Sequence, residues 1–300
     1  MTTQVPPPAG RGKVPGWRTA IGSYGFVFSN LGRFFALGWL LFLIAVAAQI
    51  IGVLVLGERL GWGAETLQRS PAYPAYVVAT VLIFVVYFAM FLAFAVRWHR
   101  FYLLDERESV FSEILAARNW RFLGYILLLA LAPFLPMLIG MIIGLGAAIS
   151  GAGLPQEGMM AGLLAIIVIF AWLSTFVLYF VVFRFSLVLP AAAVDRPIGL
   201  GEAWRGLGGN TRRYVGAIIL VAIPMIIALL ILTVVFLPFP ITSLTSGGQD
   251  PSPTILVVVS IAHSILSFFV TAVWITMLST FYRHIVGVER GEGGAVAHPA

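Results

Sequence analysis

Residues 202–235, "EAWRGLGGNTRRYVGAIILVAIPMIIALLILTVV", decide the class of this chain. The first part carries Arg205, Arg212 and Arg213 with Trp204 and Asn210, and from Tyr214 to Val235 no charged residue occurs. An apolar run of about 20 residues is what an α-helix needs to cross the hydrocarbon core of a bilayer. Six such runs lie at about 34–56, 75–96, 122–149, 158–183, 214–237 and 254–282, and none contains Asp, Glu, Lys or Arg. The 300 residues are 60% hydrophobic and 10% charged, whereas soluble domains carry about 25% charged residues. The expected fold is all-α, a polytopic membrane protein with six transmembrane helices.

The basic residues predict its orientation. Of 18 Lys and Arg, sixteen fall before the first run, between the second and third, between the fourth and fifth, and after the sixth. The other two, Arg59 and Arg69, follow the first run. By the positive-inside rule both termini face the cytosol, so the net charge of +6 is a topology signal and does not imply nucleic acid. Residues 1–16 are Pro/Gly-rich, lack the apolar core of a signal peptide, and read as a disordered cytosolic tail; residues 287–300 read likewise. Without cysteine, thiolate metal sites, disulfides and cysteine nucleophiles are excluded.

The opening stretch recurs. "NLGRFFA" holds Asn30, Arg33 and Phe34; "RNWRFLG" holds Arg118, Arg121 and Phe122; "NTRRYVG" holds Asn210, Arg213 and Tyr214. The arginines are 88 and 92 residues apart. A fixed period of this kind predicts a repeated supersecondary unit. The even runs also end alike, with Arg97 and Arg100, with Arg184, and with Arg283. Ahead of each odd run stands a short amphipathic segment. Trp17, Ile21, Tyr24 and Phe28 share one helical face, as do Val110, Phe111, Ile114 and Leu115, and Leu200, Trp204 and Leu207. Such segments suit the membrane–water boundary. The membrane domain, 17–286, is therefore expected as three hairpin units (about 17–106, 107–197 and 198–286) around a pseudo-threefold axis, each led by a short cytosolic interfacial helix.

Two constellations are candidate sites. The first is a basic collar of Arg33, Arg97, Arg100, Arg118, Arg121, Arg184, Arg212 and Arg213 with Asn30, Asn210, Trp98, Trp120, Trp204 and Glu202. Guanidinium groups bind phosphate headgroups bidentately, while any polytopic protein carries cytosolic Arg and an aromatic belt. Asn30 and Asn210 are expected to bond the chain where the interfacial helix turns into the membrane. Glu202 is expected early in its helix, where a carboxylate suits the dipole, and paired with an arginine across the repeat interface. The second constellation is a polar stripe in the sixth run: Ser260, His263, Ser264, Ser267 and Thr271. An intramembrane histidine marks either a functional site or hydrogen-bonding glue between helices, and both require it to face the bundle interior. Pro133, Pro136 and Pro224 interrupt the third and fifth runs, and Gly140, Gly144 and Gly146 offer a close-packing face.

"RFSLVLPAAAVDRP" followed by "EAWRGLGGNTRRYVG" resembles a family of bacterial six-helix membrane proteins, which includes the membrane domain attached to some glycerophosphodiester phosphodiesterases. The matching residues are Arg184, Pro190, Asp195, Glu202, Ala203, Trp204, Asn210 and Arg213. The resemblance implies the membrane part alone and a place in the bacterial inner membrane. No hydrolase barrel fits between the runs, and no Walker loop, HExxH or GxSxG motif occurs. The expected function is a non-enzymatic inner-membrane module without cofactor or metal. Its collar would contact anionic lipid headgroups or a partner protein. The alternatives are a small-solute or lipid transporter using the polar stripe, and an intramembrane lipid-modifying enzyme.

Overall fold

The computed structural model describes residues 13–56, 73–107, 116–149, 156–236 and 253–287, and the described backbone is helical with no strand. The first two elements are α1 (Gly16–Ser29) and α2 (Leu31–Leu56), followed by α3 (Tyr73–Leu104), α4 (Ala117–Leu131) and α5 (Phe134–Ile149). Helix α6 (Gln156–Val177) runs on through a π-helical turn, Leu178–Val182, to Phe185. Then come the short α7 (Val188–Ala193) and α8 (Leu200–Leu207), and the long α9 (Thr211–Phe236) and α10 (Pro253–Val286). Most of each tail, and the amphipathic segment Val110, Phe111, Ile114 and Leu115, lie outside the described residues.

Four stretches are long and apolar enough to cross a membrane: Val77–Leu104, Ala165–Phe185, Thr211–Leu232 and Ile261–Val286. Two bent pairs bring the number to six if each is one span: α1 with α2, bent by 76°, and α4 with α5, bent by 41°. The protein is thus all-helical, with four to six candidate membrane-spanning helices. The 41° bend follows from Pro133, which has no N–H to continue the ladder. Pro136 is accommodated in the first turn of α5, where amides have no intrahelical acceptor. Pro224 does not interrupt its run, because α9 continues through it as one helix.

Helix α10 is the centre of the packing and touches α1, α2, α3 and α9. In lipid the apolar effect does not drive helices together, so close contact and interhelical bonds must do so. The α2–α10 contact is close enough that a Cβ on Gly38 would stand 2.5 Å from the Phe268 ring. Around it Phe34, Phe42, Phe94, Trp98 and Phe268 form an aromatic cluster with centroids 4.3–6.1 Å apart. Helices α5 and α6 pack chiefly on each other. There Gly140 provides the expected close approach, its missing Cβ leaving room for Phe170, while Gly146 faces open space. The surroundings of Gly144 are not among those described.

Helix α1 buries its small face and leaves much of its large apolar face exposed. Its buried residues are the small ones, Thr19, Ala20 and Ser23, with Val27, while Trp17, Ile21 and Phe28 are exposed and Tyr24 is half-buried. Small side chains let α1 lie close on α9 and α10, whereas large apolar ones are at no disadvantage facing lipid. The approach is tightest at Gly16, where a Cβ would meet the carbonyl oxygen of Arg213 at 2.6 Å.

Three helix ends share one device. Among the described residues the backbone takes positive φ at Asp105 (57°), Asp195 (57°) and Gly287 (79°). These positions follow α3, α7 and α10, and are 90 and 92 residues apart. The amides of Asp105 and Gly287 bond the carbonyls of Phe101 and Arg283, closing the last turn. Asp195 bonds Ala192 and Arg196 bonds Ala191, the paired form of the same cap. Aspartate is one of the few residues other than glycine that enters this conformation at modest cost.

Candidate functional site

The collar residues stand toward the ends of α3 and of the run that closes at Phe185, at the starts of α2, α4 and α9, and on α8. Asp195, held out by its left-handed cap, is the hub. Its carboxylate takes Arg100 Nη1 at 3.0 Å, Arg118 Nη1 at 3.4 Å and Arg121 Nη2. Arg100 is buried and fully engaged, because Glu106 receives its Nε and Nη2 as a bidentate pair and the Ala193 carbonyl accepts Nη1 at 2.9 Å. A buried guanidinium is tolerable only with such complete pairing. The network ties α3, α4 and α7 together.

The two asparagines play different parts. Asn30 donates Nδ2 to the Phe26 carbonyl at 2.8 Å, holding the end of α1 as expected. Asn210 is buried, and its Oδ1 accepts the Val14 amide at 2.9 Å. Arg213 donates Nη1 to the Val14 carbonyl at 3.2 Å. Both residues therefore grip the chain where it enters α1. In their backbones the asparagines agree: each amide bonds the carbonyl three residues back (Val27, Leu207) and each carbonyl accepts the amide four residues on (Phe34, Tyr214). The aromatics after the repeat arginines, Phe34, Phe122 and Tyr214, are all buried. Arg33 is half-buried, with its guanidinium carbon 5.7 Å from the Phe101 centroid and within the field of Arg97 and Arg107. Arg97 is buried and Arg212 exposed.

Arg184 lies over the Trp204 ring, 3.8 Å from its centroid, and donates Nη2 to the Trp204 carbonyl at 3.3 Å, while Phe185 packs on the same ring. Glu202 does sit in the first turn of α8, but its carboxylate accepts the Gly199 amide at 3.0 Å. It caps the helix; among the described residues no arginine pairs with it.

The polar stripe behaves differently from expectation. His263 is exposed, on the outer side of α10, so neither its glue role nor its interior position holds in the isolated chain. Ser264, Ser267 and Thr271 are half-buried, Thr271 returning its hydroxyl to the Ser267 carbonyl at 2.9 Å, and the Ser260 side chain lies outside the described residues. The buried polar seam is further along α10. Trp98 Nε1 donates to Thr276 Oγ1 (2.9 Å), His99 Nδ1 meets Ser279 Oγ (2.7 Å) and Tyr102 meets Thr280 Oγ1 (2.7 Å). Each α10 hydroxyl also lies within hydrogen-bond distance of a carbonyl one turn back, at Ala272, Ile275 and Thr276. Trp98 Nε1 can only donate, whereas the His99–Ser279 and Tyr102–Thr280 bonds can be donated from either side. Arg283 Nη2 closes the seam on the Tyr102 oxygen at 3.0 Å. Sequence reasoning missed this seam, although Thr276 and Thr280, like Ser279 and Arg283, stand at the helical spacing that marks a face.

No group of three or more His, Asp or Glu is placed to hold a metal among the described residues. Compared with protein-family models, curated proteins and solved structures, the chain matches none, so the resemblance to the six-helix family rests on the residues named for it above.

Proposed function

We propose that the protein is a non-enzymatic module of the bacterial inner membrane: six spans arranged as three hairpins around a pseudo-threefold axis, with both termini and a basic rim in the cytosol. The observation that carries this reading is the internal engagement of the collar. Arg100, Arg118 and Arg121 brace against Asp195, Arg213 braces against Val14, and Arg184 against Trp204. The collar is first a brace. Among the arginines that stay exposed are Arg18, Arg205 and Arg212, and the rings of Trp17 and Trp120 are 62% and 61% exposed; these are the groups left to meet lipid. Arginine next to interfacial tryptophan suits anionic headgroups.

Two observations support the repeat. The left-handed caps recur at 90 and 92 residues, close to the 88 and 92 of the repeat arginines. Two of the arginines also hold the segment that leads into another unit: Arg213 of the third unit holds the stretch entering the first, and Arg121 of the second holds Asp195, which leads into the third. Among the described residues no feature favours transport or catalysis over this reading.

Lipid preference tests it. In nanodiscs of mixed phosphatidylglycerol and phosphatidylcholine, the protein should retain the anionic lipid on release into native mass spectrometry. At roughly 1 kcal/mol per basic residue near the surface, replacing Arg18, Arg205 and Arg212 by Gln should reduce the preference by at least about tenfold. Equal retention of both lipids by the unmodified chain would remove the lipid-contact reading.

A further inference from the structure

We propose that the cleft at the start of α9 is a peptide-backbone site, occupied by the chain's own segment Lys13–Val14–Pro15, and that this occupancy latches α1 across α9 and α10. The inference goes beyond the lipid reading and does not depend on it.

Recognition of an extended peptide combines main-chain hydrogen bonds with a pocket for a side chain. Val14 meets both requirements. Its amide and carbonyl are bonded by Asn210 Oδ1 and Arg213 Nη1, at 2.9 and 3.2 Å, and its side chain is 0% exposed. The partners come from a segment almost two hundred residues away, so the contact is tertiary. Pro15 holds the segment extended (φ −75°, ψ 92°), and its carbonyl accepts the Thr19 amide at 3.0 Å, coupling the strap to the first turn of α1. Gly16 then allows the chain to pass directly over the Arg213 carbonyl.

The rest of α1 is held by rings and small residues. Its buried face is mostly small and Trp17 and Ile21 are exposed, while Phe26 packs on Trp98, Phe101 and Tyr102 of α3, and Tyr24 and Phe28 pack on Phe269 of α10. A catch lies midway: Tyr24 donates to the Val221 carbonyl at 2.6 Å, three residues before Pro224. At the far end the 76° bend at Asn30 separates α1 from α2. Hinge, catch and latch lie in line, and the latch is the contact with both main-chain bonds and an enclosed side chain.

The test uses the full chain in nanodiscs, reading amide hydrogen exchange at Val14 and tryptic cleavage after Arg18. Val14 lies outside any helix, yet its amide should exchange about 100-fold more slowly than an unprotected one. Asn210→Ala should abolish that protection and speed cleavage at least about tenfold, leaving exchange in α3 and the second half of α10 unchanged. Val14→Gly empties the pocket without altering the bundle and should have the same effect. In that variant, labelled peptide of sequence PAGRGKVPG (residues 8–16) should bind the vacated cleft, and adding Asn210→Ala should abolish the binding. An unprotected Val14 amide in the unmodified chain, or unchanged cleavage in Val14→Gly, overturns the latch. No binding of millimolar peptide to Val14→Gly overturns the peptide site.

Discussion

Replacing Trp98 by alanine should destabilise the folded protein by about 3–5 kcal/mol, the usual range for emptying a fully buried aromatic site. Trp98 is enclosed by Phe26, Phe34, Phe94 and Phe101 and donates to Thr276 across the α3–α10 seam. The loss combines missing contacts with a cavity that rigid helices fill poorly. Trp98→Phe separates the terms, since it keeps much of the ring volume and removes the donor. It should cost about 1–2 kcal/mol, partly because Thr276 keeps its bond to Ala272. Reversible unfolding in mixed micelles measures both. If alanine cost no more than phenylalanine, the seam and its aromatic cluster would not be the core of the fold.

Asp195→Asn should be the most damaging charge change at the rim, at about 2 kcal/mol. Asparagine tolerates the left-handed backbone almost as well as aspartate, so the substitution isolates the charge. Its loss leaves Arg100, Arg118 and Arg121 converging on a neutral group. Fully buried pairs broken on one side cost about 3–5 kcal/mol; the Asp195 side chain is 41% exposed and Arg100 keeps Glu106, so the lower figure applies. Arg121→Gln, on the exposed side of the hub, should cost under about 1 kcal/mol. The same unfolding assay ranks the two. Equal small losses would reduce the hub to an ordinary surface pair.

Much of the frame was legible because it depends on length and polarity. Each of the six apolar runs lies on helix, with Pro133 bending one and the caps following the even runs. The aromatics that follow Arg33, Arg121 and Arg213 in the sequence, Phe34, Phe122 and Tyr214, are all buried. What stayed hidden depends on partners distant in sequence. In the sequence Asn210 reads as a bond to the chain at its own turn and Arg213 as a headgroup contact, because nothing local shows that Val14 arrives between them. Asp195 stood in the sequence only among the residues of the resemblance, and its reach to three arginines depends on the cap that turns it outward. For α1, periodicity found the large apolar face but in a membrane that face need not be the inner one. His263 drew attention as the titratable residue within its run, while the seam that joins α3 to α10 uses hydroxyls inconspicuous in an apolar helix.

The topology of the rim is tested most directly by single-cysteine accessibility, for which the cysteine-free chain is a ready background. Cysteines placed singly at Glu157, Asp250, Arg18, Arg196 and Gly287 are exposed to a membrane-impermeant maleimide in intact spheroplasts. Labelling at positions 157 and 250, with protection at 18, 196 and 287 until the membrane is opened, is the predicted result. Labelling of 196 or 287 from outside, or protection of 157 or 250, would contradict six spans with a cytosolic collar.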